Sequence, residues 1–140
     1  MLLTSKGRYA VMAIVDLAQQ EKERPVKMED IAKRQNISAN YLEQIFSKLK
    51  NSGIIISQKG PGGGYLLHEK SNQIFISDII KAVEEPIKFT KCDENSNCNA
   101  ADVKCQTHFL WKGLENHIQK YLGNISINDI CKGKIANLNY

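Results

Sequence analysis

Residues 27–67 read KMEDIAKRQNISANYLEQIFSKLKNSGIIISQKGPGGGYLL, and the change of period along this stretch decides the fold. Met28, Ile31 and Ala32 fall at helical spacing, a short helix whose end Asn36 marks. Ile37 is an apolar plug. Ser38 is a good N-cap for a second helix, because its hydroxyl can accept from a free amide of the first turn. Leu42, Ile45, Phe46 and Leu49 then recur at i, i+3, i+4 and i+7, with Tyr41 beside them, and Asn51-Ser52-Gly53 stops the run. Two helices joined by a turn of about three or four residues make a helix-turn-helix. An αα-hairpin packed on another element carries the same pattern.

The residues beyond Gly53 favour the helix-turn-helix. Ile54-Ile55-Ile56 is β-branched, and Tyr65-Leu66-Leu67 is a second short strand beyond a tip of Lys59-Gly60-Pro61-Gly62-Gly63-Gly64. That is a β-hairpin with a long glycine-rich tip. Helix, helix, hairpin is a winged helix-turn-helix, so the expected fold is mainly α with a small β-hairpin. The tip also resembles a phosphate-cradling loop, but it lacks the Gly-Lys-Ser/Thr ending and opens no helix. Glycines at a hairpin tip permit positive φ and close backbone approach, and Lys59 supplies a cation. A DNA minor groove or phosphate ridge suits both features.

Upstream, residues 9–18 are helical in propensity and apolar on more than one face, interrupted by Asp16. Such a helix is buried on two sides. The run is followed by QQEKER without a small-residue cleavage site, which reads as a mature helix, not a signal peptide. No apolar stretch approaches the ~18–20 residues that span a bilayer, and the expected setting is the cytoplasm. Downstream, Ser77 is read as the cap of a short helix over 78–84. From Phe109 a longer helix carries Leu110, Leu114, His117/Ile118 and Tyr121/Leu122 as an apolar stripe, with Trp111 alongside. A small N-terminal core cannot use all of it, so pairing with the same helix of a second subunit is expected; plain core packing is the alternative.

At 140 residues, 42% hydrophobic and 24% charged, the chain is one domain or one domain plus an appendage, long enough to fold without staples. The division expected is a winged helix-turn-helix domain over 1–85, a metal-binding loop over 86–108, and a dimerisation helix and tail over 109–140. The net charge of +4 lies wholly in residues 1–70, which carry eleven Lys/Arg against seven Asp/Glu. A basic bias confined to that half suits a polyanion partner. No nucleophile–base constellation can be assembled, so catalysis is not expected.

The segment 91–109, KCDENSNCNAADVKCQTHF, is spaced Cys92-x5-Cys98-x6-Cys105-x2-His108, with Cys131 apart in the tail. Four cysteines allow three disulfide pairings, disfavoured in a reducing cytosol. Structural zinc usually takes close Cys pairs, and these gaps are wide. A [2Fe–2S] cluster accepts a mixture of thiolate and imidazole. By spacing alone, cluster, zinc and unmetallated thiols all remain open.

Taken in order, LTSKGRYAVMAIVDLA, ISANYLEQIFSKLKNSG, KGPGGGYLL and the Cys-x5-Cys-x6-Cys-x2-His spacing followed by FLW resemble the IscR family of iron–sulfur cluster regulators nearly end to end. The resemblance implies a dimeric winged-helix transcription factor that holds a [2Fe–2S] cluster, controls cluster-assembly genes, represses its own operon when clusters are plentiful and receives its cluster from the assembly machinery. By matching position, Cys92, Cys98, Cys105 and His108 are the implied ligands. The chain departs from the family pattern in two places: six residues, not five, separate Cys98 from Cys105, and Lys59 stands where an arginine is expected. A lysine reaches the same anion but makes no planar bidentate contact. A sister group that senses nitric oxide recruits an acidic ligand near the chain start. Here the first acid is Asp16, and His108 is present.

A winged helix of this kind lays its second helix in the major groove. The exposed positions there are Ser38, Asn40, Tyr41, Glu43, Gln44, Ser47 and Lys48. Gln44 can bond adenine, and Glu43 can accept from a cytosine amine and so penalise sites without one; Glu43 facing solvent is the plain alternative. Thr4, Ser5, Lys6, Arg8 and Tyr9 are placed on phosphates, which position without specifying. From the wing, Lys59, Gly60, Gly62, Gly63 and Tyr65 complete the expected DNA-binding set. His68 and His117 are read as surface and interface residues and not ligands, and Cys131 as a spectator thiol. An electron-transfer protein and a DNA-binding protein with structural zinc are the readings from other classes.

Overall fold

The computed structural model describes residues 4–20, 24–90 and 104–137. Helix α1 (Ser5–Gln20) is followed by α2 (Met28–Gln35) and α3 (Ala39–Asn51), then by strands β1 (Ile55–Gln58) and β2 (Gly64–Leu67). Helices α4 (Ile76–Ala82), α5 (His108–Gly123) and α6 (Ile127–Cys131) come next, with a last 3-10 turn over Lys134–Asn137. The fold is mainly α with one antiparallel hairpin, as the sequence indicates.

Local chemistry explains the boundaries around the helix-turn-helix. Asn36 ends α2 in the left-handed region, φ 53°, and its amide returns to the helix carbonyls; asparagine tolerates this conformation better than most residues. Ile37 is buried just beyond it. The Ser38 hydroxyl accepts from the Tyr41 amide at 3.2 Å and starts α3. Along α3 the buried side chains are Leu42, Ile45, Phe46 and Leu49, the stripe that the spacing indicates.

The hairpin pairs Ile55 with Leu67 and Gln58 with Gly64, and Ile54 lies outside it. Val26, just before α2, bridges Tyr65 through two backbone bonds of 2.9 and 2.8 Å, which fastens the wing beside the helix-turn-helix. Phe46 meets the Tyr65 ring edge-on at 4.9 Å between centroids.

Helix α1 lies at the centre. Ala10, Ala13, Ile14 and Leu17 are fully buried, and α1 packs on α2, α3, α4 and α6. The start of α4 differs from expectation. Ser77 sits inside the helix, and Phe75 is the N-cap, its amide held by the Asp78 carboxylate at 3.3 Å. The chain beyond α5 returns to this core: Phe75 bridges Ser126, and Ile125 and Ile127 are buried in it.

Candidate functional site

Two regions carry the chemistry that the sequence singles out: the outer face of the helix-turn-helix with its wing, and the start of α5.

On the first, Ser38, Asn40, Glu43, Gln44 and Ser47 are all exposed on α3 or at its cap. They occupy the face opposite the buried stripe, so the helix is anchored from behind and open in front. Tyr41 is half-buried and meets Tyr9 of α1 edge-on at 5.9 Å, while the Arg8 guanidinium lies 5.9 Å from the Tyr9 ring centre. These ring contacts set the first turn of α1, with Thr4, Ser5, Lys6 and Arg8, beside α3. Lys48 is partly committed to a partner on its own chain, its ammonium pairing with Glu84 at the surface. That partner holds the Glu84 carboxyl below the usual carboxylate range, through the hydrogen bond first and charge second.

The wing tip divides its glycines by role. Gly60 and Gly62 have φ of 95° and 73° with open space where a Cβ would stand, so they satisfy the turn and leave room for a ligand. At Gly63 and Gly64 the close approach is to the chain itself. A Cβ would come within 2.3 Å of the Gln58 carbonyl oxygen at the first and 2.5 Å of the Val26 oxygen at the second. Lys59 is exposed at the tip's base, and Tyr65 is half-buried.

Between the wing and α3 runs a groove lined by Lys27, Met28, Glu29, Glu43, Gly63, Gly64 and Tyr65. The sequence singled out Glu43 and the wing residues, but not the contribution of Lys27 and Glu29. They enter the groove because the Val26–Tyr65 bridge draws the start of α2 to the wing, a pairing that no local pattern reveals.

At the second region, His108 opens α5, and its amide donates to the Cys105 carbonyl at 3.0 Å. Both residues are half-buried and stand on one turn, with the Cys105 sulfur 3.5 Å from the Thr107 hydroxyl. The preceding segment is tied to the same helix: the Phe89 amide donates to Glu115 Oε1 at 2.7 Å. The chain therefore leaves α5 beside Glu115 and rejoins it at His108, about 10 Å back along the axis at 1.5 Å per residue. A thiol and an imidazole on one turn suit half of a mixed thiolate–imidazole donor set. Cys92 and Cys98 lie outside the described residues, and among the described residues no three His, Cys, Asp or Glu side chains gather as a metal site. Cys131 sits apart on α6, where burial pushes its thiol up.

Helix α5 itself is open. None of its side chains is buried, although Phe109, Leu110, Trp111, Leu114 and Tyr121 lie on it. Phe109 is 74% and Leu110 62% exposed, so among the described residues this part of the apolar stripe is not covered, whereas Leu122 at the far end packs against the core. No helix of the described residues is long and apolar enough to cross a membrane.

The chain is similar to known proteins over nearly its whole length. A family model described as Rrf2, iron-dependent transcriptional regulator, matches residues 3–133. An HTH-type transcriptional regulator IscR of Xenorhabdus nematophila is 46% identical over 134 residues, covering 96% of this chain and 81% of the relative. The IscR of Pectobacterium atrosepticum is 45% identical over the same length, with the same coverage. Among solved structures, T. potens IscR superposes with a TM-score of 0.78 at 30% identity, over all of this chain and 93% of that one. CymR, the global cysteine regulator of B. subtilis, gives 0.79 at 29% identity, over 94% of this chain and 97% of that one.

Proposed function

The chain belongs to the Rrf2 family and is a DNA-binding transcription regulator, not an enzyme; on that premise we propose that it senses iron–sulfur cluster status through a [2Fe–2S] cluster and controls cluster-assembly genes. The observation that carries this reading is the Cys105–His108 turn at the head of an uncovered helix, within a chain that resembles IscR across 96% of its length. Cys92, Cys98, Cys105 and His108 would hold the cluster. Such a cluster supplies an inorganic body whose presence depends on iron and redox supply, and a neutral imidazole among the ligands leaves the site one negative charge lighter than four thiolates.

The chain's own residues do the rest. The exposed face of α3 enters the major groove, where Gln44 and Glu43 read base edges. Thr4, Ser5, Lys6 and Arg8 take phosphates from the start of α1, and Lys59, Gly60 and Gly62 carry the wing onto the backbone. The exposed stripe of α5 pairs with its copy in a homodimer, which sets the spacing of two reading helices. With a cluster in the loop, its two stems on α5, Phe89 at Glu115 and Cys105 at His108, would be held and that spacing biased. The cluster-assembly machinery is the expected cluster donor, and the cytoplasm the expected compartment.

Anaerobic purification followed by a visible spectrum, with iron, sulfide and zinc analysis, tests the reading. A coloured protein with about two irons and two sulfides per chain is expected. A colourless, zinc-loaded protein would instead support a winged-helix regulator with structural zinc.

A further inference from the structure

Helix α4 is followed by two consecutive carboxylates that turn toward different DNA-facing helices. Glu84 takes a left-handed conformation, φ 57°, and pairs with Lys48 of α3. Glu85 is 7% exposed, and its Oε1 accepts from the Thr4 amide, just ahead of the first turn of α1. Its Oε2 is buried without a hydrogen-bonding partner among the described residues and lies directly over Gly7. A Cβ built on Gly7 would stand 1.9 Å from that oxygen and 2.9 Å from the carboxyl carbon. Gly7 is thus the seat that admits Glu85.

A buried carboxylate with one unpaired oxygen costs stability, so its place needs a reason. The amino end of a helix is the most favourable available place for an anion. Here that end carries Thr4, Ser5, Lys6 and Arg8.

We infer that Glu85 is a positioning residue for DNA binding, seating the first turn of α1 against the end of α4 through Thr4 and Gly7. The inference rests on the reading of that turn as a phosphate contact and names what holds it in place. Glu85 itself is covered and does not meet the duplex. Glu84, by contrast, is exposed and pairs with the Lys48 side chain of α3, so the two consecutive carboxylates before Pro86 contact both DNA-facing helices, Glu85 from a buried seat and Glu84 at the surface. A shift of this segment would move the first turn of α1 and the Lys48 side chain together.

The test uses the full-length protein, purified anaerobically. Its probe is a duplex of about 30 base pairs, long enough for two half-sites, bearing the sequence that the wild type selects most strongly from a random library. Binding is read by fluorescence anisotropy across a salt series. Glu85→Ala is expected to weaken binding about tenfold and to flatten the salt slope by about one phosphate contact. Glu85→Gln keeps the acceptor for Thr4 and is expected to stay within about threefold of the wild type.

Because Glu85→Ala uncaps a helix end and can cost the fold, Gly7→Ala perturbs the same contact from the other side. Alanine improves helix propensity there yet expels Glu85 from its seat. The expected defect matches that of Glu85→Ala, and the double variant is no weaker than either single one, as for residues acting through one contact. Wild-type affinity and slope in Gly7→Ala, or a Gln variant as weak as the Ala variant, overturns the inference. Failure of the wild type to select any duplex contradicts the DNA contact on which it rests, a result separate from these.

Discussion

Asp16 of α1 and Arg34 of α2 form a forked ion pair across the back of the helix-turn-helix. Arg34 Nη2 donates to Oδ1 at 2.7 Å, Nε donates to Oδ2 at 3.0 Å, and Gln35 Nε2 adds a bond of 2.7 Å to Oδ2. The carboxylate is 3% exposed while the arginine side chain keeps 39% of its surface. The hydrogen bonds to Asp16, ahead of its charge, raise the Arg34 guanidinium above its ordinary value. Both carboxylate oxygens are engaged, so Asp16 is a brace between α1 and α2 and not a spare ligand for metal.

Removing Arg34 leaves that carboxylate buried with one amide partner. A fully buried pair broken this way costs about 3–5 kcal/mol; the solvent around Arg34 reduces the expectation for Arg34→Ala to about 2 kcal/mol. Urea unfolding at constant m-value checks it. An unchanged midpoint would show that the pair braces nothing.

Ser38→Ala removes the hydroxyl that accepts from Tyr41 and is expected to cost about 1 kcal/mol of stability, with Ser38→Gly costing only a few tenths. The same unfolding assay, without DNA, separates this capping role from any contact to a base.

The helix-turn-helix was legible because its signals are local: a stripe at helical spacing, an asparagine stop and a serine cap lie within residues 27–53. The hairpin and the apolar stripe of α5 were legible for the same reason. The Glu85–Gly7 seat was not, since it joins residues far apart in sequence and Gly7 shows no pattern beyond being small. Lys48 read as a free DNA contact because periodicity reports exposure and is silent on which acid comes near, here Glu84. Residues 109–140 read as a dimerisation helix and tail, and no local pattern shows that Ile125 and Ile127 return to complete the core. Ser77 looked like a cap by type, and the backbone begins α4 one residue before it instead.

Glu43 is exposed on α3 and lines the groove toward the wing. A carboxylate there repels phosphate and is offset only where a base amine faces it. Glu43→Ala is therefore expected to change the ranking of duplexes in a selection experiment, admitting sites that the wild type rejects by about 1–3 kcal/mol per base pair. Lys59→Met is expected to weaken all duplexes alike and to reduce the salt slope by about one contact. An unchanged ranking with Glu43→Ala would place that side chain in solvent.

The stripe on α5 is expected to hold two chains together. Leu110→Glu and Leu114→Glu put charges where Leu110 and Leu114 stand 62% and 39% exposed, sites too open for the change to cost the fold of one chain. Sedimentation velocity is expected to show a dimer for the wild type and a monomer for the double variant, with weaker binding to paired half-sites. A wild type that sediments as a monomer removes the basis for that prediction.

The most direct measurement is a pair of anisotropy titrations on duplexes selected by this protein, one with the cluster-loaded form and one after the cluster is removed, repeated with His108→Ala. Regulation by the cluster predicts that the two forms differ in affinity for at least one class of duplex, and that His108→Ala behaves as the cluster-free form. Equal affinities on every duplex, with the cluster spectroscopically present in one sample and absent from the other, would contradict it.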